Sequence, residues 1–419
     1  MEDAKVGKSG KRSRSGVAAA AIFVVLLTVS ASAFSQTENV LFDFDRSGDS
    51  GWWPNPMIFD AAGNLYGTNT MGGGSKACTF GCGSAFELSP DGNGGYNYTV
   101  LYDFQGGADG EDPSPVVLGA DGSLYGVTVY GGAPNSCAGG CGTVFKLTPP
   151  GGSGNWTKST LYTFAGGNDG GNPFSGLALD SAGNIYGTTF SGGTGQFGTF
   201  FELSPQKNGK YSKQILYEFQ PGIAGSPVFL LQESGGNFYG TTQSQGIRFD
   251  PGVVFQLTKN ESGQWQETVL HEFTGTSPGA LVMSPSGSLF GATDATAKCM
   301  VCGSIYELTP TGGKWQYSPV ASFDGGRKGA TVSGLAVDAA GNVYGTAYES
   351  GPLGYGFVCK LTLTDGKWTE TILHNFDEDN GVDGGYPAGG IVLDNAGNIF
   401  GATYYGGNES IGLLYEISQ

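Results

Sequence analysis

Histidine is nearly absent from this chain: His271 and His374 are the only two. A Ser-His-Asp triad or a histidine-rich metal site has little to draw on. Basic side chains are scarce as well, Lys+Arg 20 against Asp+Glu 37, for a net charge of −17. That field repels nucleic acid and anionic lipid, so neither is an expected partner. Long apolar runs are missing apart from Val17–Val29, which falls short of the ~20 residues a spanning helix needs. No stretch keeps a helical period, and this removes helix bundles and α/β folds from consideration.

The one apolar run belongs to an N-terminal address. Lys5, Lys8, Lys11, Arg12 and Arg14 precede it, and Ala31-Ser32-Ala33 follows with the small residues a signal peptidase needs. Residues 1–33 are therefore expected to be a signal peptide, removed on export to the periplasm or medium and leaving no membrane span. Its removal leaves 15 basic and 35 acidic groups and takes the net charge to −20.

What the chain has in abundance is glycine, 76 residues, and aromatics at 12%. They are arranged in a repeat. An apolar residue, a Tyr or Phe and a glycine recur seven times, with the glycine at 67, 126, 187, 240, 291, 345 and 401. The third copy shows the grammar: Ser175–Asp180 reads as strand A, Asn184–Phe190 as B, Gly198–Leu203 as C and Tyr211–Phe219 as D. Four short antiparallel strands per copy is the pattern of a propeller blade. Each A–B turn carries a glycine, at 63, 122, 183, 236, 287, 341 and 397, as a tight hairpin with one residue at positive φ requires. Asp60, Asp180, Asp338 and Asp394 precede four of these turns and are assigned to turn structure. The glycine inside strand B is expected to let neighbouring blades approach closely.

The chain ends complete the argument. The last copy stops after strand C, Leu413–Ile417, whereas Asn39–Phe44 is an orphan strand D at the start. Joining them makes a seventh blade and removes both open edges. The expected fold is all-β: a seven-bladed β-propeller over residues 34–419, closed by its N-terminal strand and monomeric.

The phrases Gly-Asn-Ile-Tyr-Gly-Thr-Thr (183–189), Gly-Thr-Val-Phe-Lys-Leu-Thr (142–148) and Gly-Gly-Asn-Asp-Gly-Gly-Asn-Pro (166–173) resemble the bacterial GloVer tandem repeats. That resemblance covers residues 38–419 and implies an exported repeat protein, in a family whose terminal anchors vary. It implies no activity. The chain ends at Gln419 directly after a core strand, so release is expected rather than anchoring.

Residues that obey the repeat are read as scaffold, and residues that break it as candidates for function. Both histidines obey it, since they stand where Tyr102, Tyr162 and Tyr217 stand in other D strands. Trp156, Trp265, Trp315 and Trp368 obey it too, each opening a strand D, but Trp52 and Trp53 have no counterpart. They lie in a D–A loop, and D–A and B–C loops share one face of a propeller. Variable loops on a rigid frame favour binding. The candidates for a carbohydrate or protein ligand are Trp52, Trp53, Tyr130, Phe190, Tyr404 and Tyr405, with Asp49, Asp109 and Asp169 as hydrogen-bond partners. The B–C loops hold three cysteine pairs, Cys78/Cys82, Cys137/Cys141 and Cys299/Cys302, expected as local disulfides. Zinc shared by the first two pairs is the alternative. Cys359 should be a buried free thiol. The acidic D–A loops make Ca2+ a candidate ion, although none matches an EF-hand and no cofactor is required. The expected function is a non-catalytic binding scaffold. A polysaccharide-active enzyme working through loop carboxylates, or a structural envelope role, is the alternative.

Overall fold

A hairpin grammar repeated seven times yields seven small antiparallel sheets arranged in a ring, a seven-bladed β-propeller. The computed structural model describes residues 36, 38–45, 47, 49–132, 137–152, 154–220, 225–243, 252–293, 302–325, 331–380 and 382–419; the expected signal segment lies outside them. Blades 1 to 6 span residues 52–103, 111–163, 178–218, 227–272, 278–323 and 332–375. Blade 3 is typical: strands Ala178–Leu179, Ile185–Thr189, Thr199–Pro205 and Tyr211–Glu218 pair in chain order. Blade 7 takes Gly384–Leu393, Ile399–Gly406 and Leu413–Ile417 from the C-terminus and its outer strand, Glu38–Asp43, from the N-terminus. The closing register runs from Glu38↔Ile417 to Asp43↔Leu413, as the complementary chain ends imply.

The core is divided among the junctions. Seven clusters of buried side chains each join one blade to the next, including blade 7 to blade 1. At their centre lies a three-part stack. The strand B glycine faces an aromatic residue of strand C across the sheet: Gly67↔Phe86, Gly126↔Phe145, Gly187↔Phe201, Gly240↔Phe255, Gly291↔Tyr306 and Gly401↔Tyr415. The end of the ring lies against the glycine, so a Cβ there would meet its Cζ at 2.2 to 2.6 Å. This corrects the reason expected for these glycines. The crowding comes from their own blade's strand C, not from a neighbouring blade's backbone.

The same ring meets the last phenylalanine of the preceding blade's strand D. Ring centroids are 5.0 Å apart for Phe104–Phe145, 5.3 Å for Phe164–Phe201, 5.2 Å for Phe219–Phe255, 5.0 Å for Phe273–Tyr306 and 5.1 Å for Phe376–Tyr415. Such pairs add about 0.5–1.5 kcal/mol beyond their buried area. Blade 6 is the exception. Its strand C carries Cys359, buried and free, and Ile305 of blade 5 reaches over Gly345 instead, 3.1 Å from where a Cβ would stand.

The A–B turns are tied by their aspartates, as assigned. Asp180 Oδ1 accepts the N–H groups of Ala182 (2.9 Å) and Asn184 (2.8 Å), and its Oδ2 accepts the Asn184 amide (2.8 Å) and the Tyr186 hydroxyl (3.2 Å). Asp60 and Asp338 make the same four bonds. Burial pushes these carboxyls up, but the hydrogen bonds outweigh it and hold all three below the usual range.

Two predictions follow from this packing. Gly187→Ala places a methyl 2.6 Å from Phe201 and 2.8 Å from Leu177 and should cost about 1–3 kcal/mol by overpacking. Gly345→Ala should cost clearly less, and urea denaturation of the two variants compares them directly. The second concerns pH. Carboxyls held low, such as Asp60, Asp180 and Asp338, give their full stabilisation above about pH 4 and lose it as pH falls through that value. Carboxyls raised mainly by burial act the other way: Asp112 to about 6 and Glu267 to about 7. Their contribution is lost as pH rises from about 4 toward those values. Calorimetry from pH 3 to 9 should therefore place the highest Tm near pH 5; a maximum at pH 8 would contradict the assignment.

Candidate binding face

The D–A and B–C loops meet on one face, and the contact between them is repeated from blade to blade. In six of seven blades strand A opens with a residue followed by proline: Trp53-Pro54, Asp112-Pro113, Asn172-Pro173, Ser226-Pro227, Ser277-Pro278 and Tyr386-Pro387. Five of these residues hold a left-handed backbone, Trp53 at φ 57°, Asp112 at 62°, Asn172 at 54°, Ser226 at 56° and Tyr386 at 57°. In four of the five the preceding blade supplies a carbonyl that holds it. The N–H of Asp112 donates to Cys82 O (3.2 Å), that of Asn172 to Cys141 O (2.9 Å), that of Ser226 to Phe197 O (2.7 Å) and that of Tyr386 to Tyr355 O (2.7 Å). Five of the six prolines pack on a glycine at the start of strand C in the same preceding blade, as Pro113 does on Gly83 and Pro173 on Gly142.

The cysteines therefore have a structural part in this face. Cys78–Cys82 and Cys137–Cys141 are disulfides with Cα atoms 5.2 and 5.1 Å apart, and Cys82 and Cys141 supply two of the anchoring carbonyls. Cys302 is disulfide-bonded, while Cys299 lies outside the described residues.

Left-handed backbone costs a non-glycine residue about 1–3 kcal/mol. Nine non-glycine residues among those described have positive φ, and five of the nine occupy this one position. Elsewhere the chain meets the same demand with glycine. Here it retains Trp, Asp, Asn, Ser and Tyr, different in nearly every blade.

Around Trp53 and Tyr386 the aromatic side chains converge. Trp53 stacks on Tyr404 at 5.7 Å and lies 6.2 Å from Trp52, which meets Phe80 at 6.3 Å. Tyr348 lies 6.1 Å from Tyr404 and 5.3 Å from Tyr386, and Tyr386 lies 5.3 Å from Tyr405. The row thus joins blades 6, 7 and 1. Asp112 stands beside it, its carboxyl raised to about 6 by burial and by Glu111.

Tyr130 and Phe190 stand elsewhere on the face. With Asn172, Phe174, Gln196 and Gln243 they line a groove of ≈ 750 Å³ between blades 2, 3 and 4. Its named lining is aromatic and uncharged, with amides as the hydrogen-bonding groups. Phe174 is 55% exposed there, an unusual state for a phenylalanine.

The three candidate aspartates join neither group. Asp109 accepts from Lys158 Nζ (2.7 Å), the Tyr102 hydroxyl (3.1 Å) and Gln105 N (2.8 Å). Asp169 repeats this with Lys213 (2.9 Å), Tyr162 (2.7 Å) and Ala165 N (2.8 Å). Burial would raise the Asp169 carboxyl, but these hydrogen bonds and Lys213 hold it low. Asp49 is exposed, and its N–H donates to Ser47 Oγ at 3.3 Å. Phe80, Phe174, Tyr348 and Tyr386 escaped the sequence reading. Aligning the residue before each strand A proline would have found Tyr386 as the counterpart of Trp53. As the repeat implied, His271 is packed, stacked on Tyr317 at 4.3 Å.

The family model described as the Gloeobacter/Verrucomicrobia repeat matches residues 21–227, 133–325 and 226–419. No curated protein matches the sequence. Among solved structures, the extracellular domain of a putative one-component system from B. thetaiotaomicron is 10% identical with a TM-score of 0.55, over 91% of this chain and 40% of that one. A puromycin-hydrolyzing peptidase from Mycobacterium tuberculosis is 10% identical with a TM-score of 0.52, over 86% and 51% of the two chains. A putative 6-phosphogluconolactonase from Bacteroides uniformis is 14% identical with a TM-score of 0.50, over 80% and 90%. At these identities the likeness is one of fold.

Asparagine tolerates left-handed backbone, as Asn172 does in blade 3. Tyr386→Asn should therefore change stability by less than about 1 kcal/mol, because relieved strain offsets the lost ring contacts. A loss above about 2 kcal/mol in urea would mean that the ring serves packing instead.

Proposed function

We propose that this chain, which belongs to the Gloeobacter/Verrucomicrobia repeat family, acts as an exported, non-catalytic scaffold that binds a neutral carbohydrate chain on its D–A/B–C loop face. The observation that carries the proposal is the set of left-handed residues before the strand A prolines. Backbone strain held at one equivalent position, with the side chain varied from blade to blade, marks positions kept for what their side chains do. Two surfaces on that face suit a saccharide. Trp53, Tyr404 and Tyr386 offer flat rings for sugar faces, and the groove at Tyr130, Phe174 and Phe190 adds the amides of Asn172, Gln196 and Gln243 for hydroxyl groups. Export is supported by the disulfides, which persist in oxidising compartments. No helix among the described residues is long and apolar enough to cross a membrane.

One observation favours an enzyme. Asp112, at about 6 beside an aromatic row, has the tuning of a general acid. A single assay separates the two readings. The exported protein is incubated with a panel of polysaccharides, with and without calcium, and retention and chain cleavage are recorded together. Binding predicts retention without cleavage, weakened at least tenfold in Trp53→Ala or Phe190→Ala. Cleavage lost in Asp112→Asn would replace the scaffold with a hydrolase or lyase, and absence of both would remove the carbohydrate.

A further inference from the structure

The outer rim carries one polar or aromatic contact at most junctions, between a strand D residue and the preceding blade. The position is defined by register, opposite the last core residue of strand C: Lys158↔Leu147, Lys213↔Leu203, Glu267↔Leu257 and Glu38↔Ile417. At the junctions of blades 1–2 and 2–3 it is a lysine. Its Nζ sits against a D–A loop carboxylate, Asp109 or Asp169, beside Tyr102 or Tyr162. At these two junctions a fixed cation thus faces the loop carboxylate.

At the closing junction of blades 6–7 the same three places hold different chemistry. Glu38 replaces the lysine, His374 replaces the tyrosine and Asp383 provides the loop carboxylate. His374 Nε2 lies 3.6 Å from Glu38 Oε2 and 3.2 Å from Asp383 Oδ2, and the three ligand atoms all fall within 4.8 Å of one another. Side-chain exposure is 11% for Glu38, 8% for Asp383 and 17% for His374. Asp383 is pre-oriented by the N–H groups of Asp377 (2.9 Å) and Gly384 (2.7 Å). Glu38 Oε1 is buried with no hydrogen-bond partner. Two carboxylates thus face each other where sister junctions hold a carboxylate and an ammonium.

We propose that Glu38, His374 and Asp383 bind a divalent transition-metal ion of the zinc class, which rivets the N-terminal strand to blade 6 and completes the ring. A tetrahedral ion with bonds near 2.0–2.1 Å holds its ligand atoms about 3.3 Å apart, and the two separations from His374 Nε2, 3.6 and 3.2 Å, lie close to that. One imidazole nitrogen among the ligands favours zinc over calcium, which takes oxygen alone. The site uses none of the aromatic side chains proposed above for ligand binding.

The test uses exported protein stripped with EDTA, then titrated with zinc or calcium. Zinc should bind at one equivalent by calorimetry, survive dialysis and raise Tm by about 3–5 °C, and calcium should not. His374→Tyr restores the residue that other blades carry at this place, so it keeps the packing on Phe376 and removes only the nitrogen ligand. It should weaken zinc binding more than about tenfold, as should the near-isosteric Glu38→Gln. No saturable zinc in the wild type, an equal response to calcium, or undiminished affinity in His374→Tyr would overturn the site.

Discussion

An aromatic ring packed against a glycine is the contact on which this molecule depends. The glycine of strand B leaves a gap in its sheet that the opposite residue of strand C fills in six of the seven blades, and the filling ring reaches toward the preceding blade. There it meets the phenylalanine that ends strand D, at 5.0 to 5.3 Å in five junctions. Pairing within the blade and packing between blades are thus one constraint. A blade that lost its glycine would displace the ring and loosen the junction with the preceding blade as well.

Blade 6 shows how far the constraint can bend. Cys359 is too small to cover Gly345, and Ile305 crosses from blade 5 to occupy the space. The gap is filled from outside the blade, which leaves this glycine the least crowded of the seven. Similar local freedom appears on the rim. Tyr102–Lys158, Tyr217–Glu267, His271–Tyr317 and His374–Glu38 occupy equivalent places with unlike chemistry. The ring pair gives five junctions the same geometry. Varied rim contacts then make the junctions unequal, and mispairing of blades brings charge against charge.

The fold was legible because it rests on spacing. Glycine positions, turn aspartates and the two incomplete chain ends all follow from a repeat that can be counted, and Glu38↔Ile417 is paired as the missing strand required. The binding face was less legible for a physical reason. Trp52 and Trp53 broke the repeat conspicuously, but Tyr386 sits in an ordinary strand and matters through its φ of 57°, a quantity no residue name carries. Asp109 and Asp169 misled in the opposite direction. As loop carboxylates they resembled ligand groups, whereas Lys158 and Lys213, remote in sequence, cover them in the fold. Long-range pairing of this kind becomes visible only once strand register is known.

The energetics of the loop face bear on what it is for. Five residues in left-handed conformation, each costing about 1–3 kcal/mol, together rival the 5–15 kcal/mol by which a typical domain is stable. Glycine at these places would remove that cost, and a chain with 76 glycines uses glycine at almost every other left-handed position. The strain can persist because it is over-determined: a carbonyl from the preceding blade's B–C loop, a disulfide in two cases, and a proline locked against a strand C glycine. Those restraints hold the backbone whatever the side chain is. A frame that fixes the backbone and leaves the side chain free to differ, repeated around one face, gives a surface whose specificity can change blade by blade while the stack beneath it stays the same.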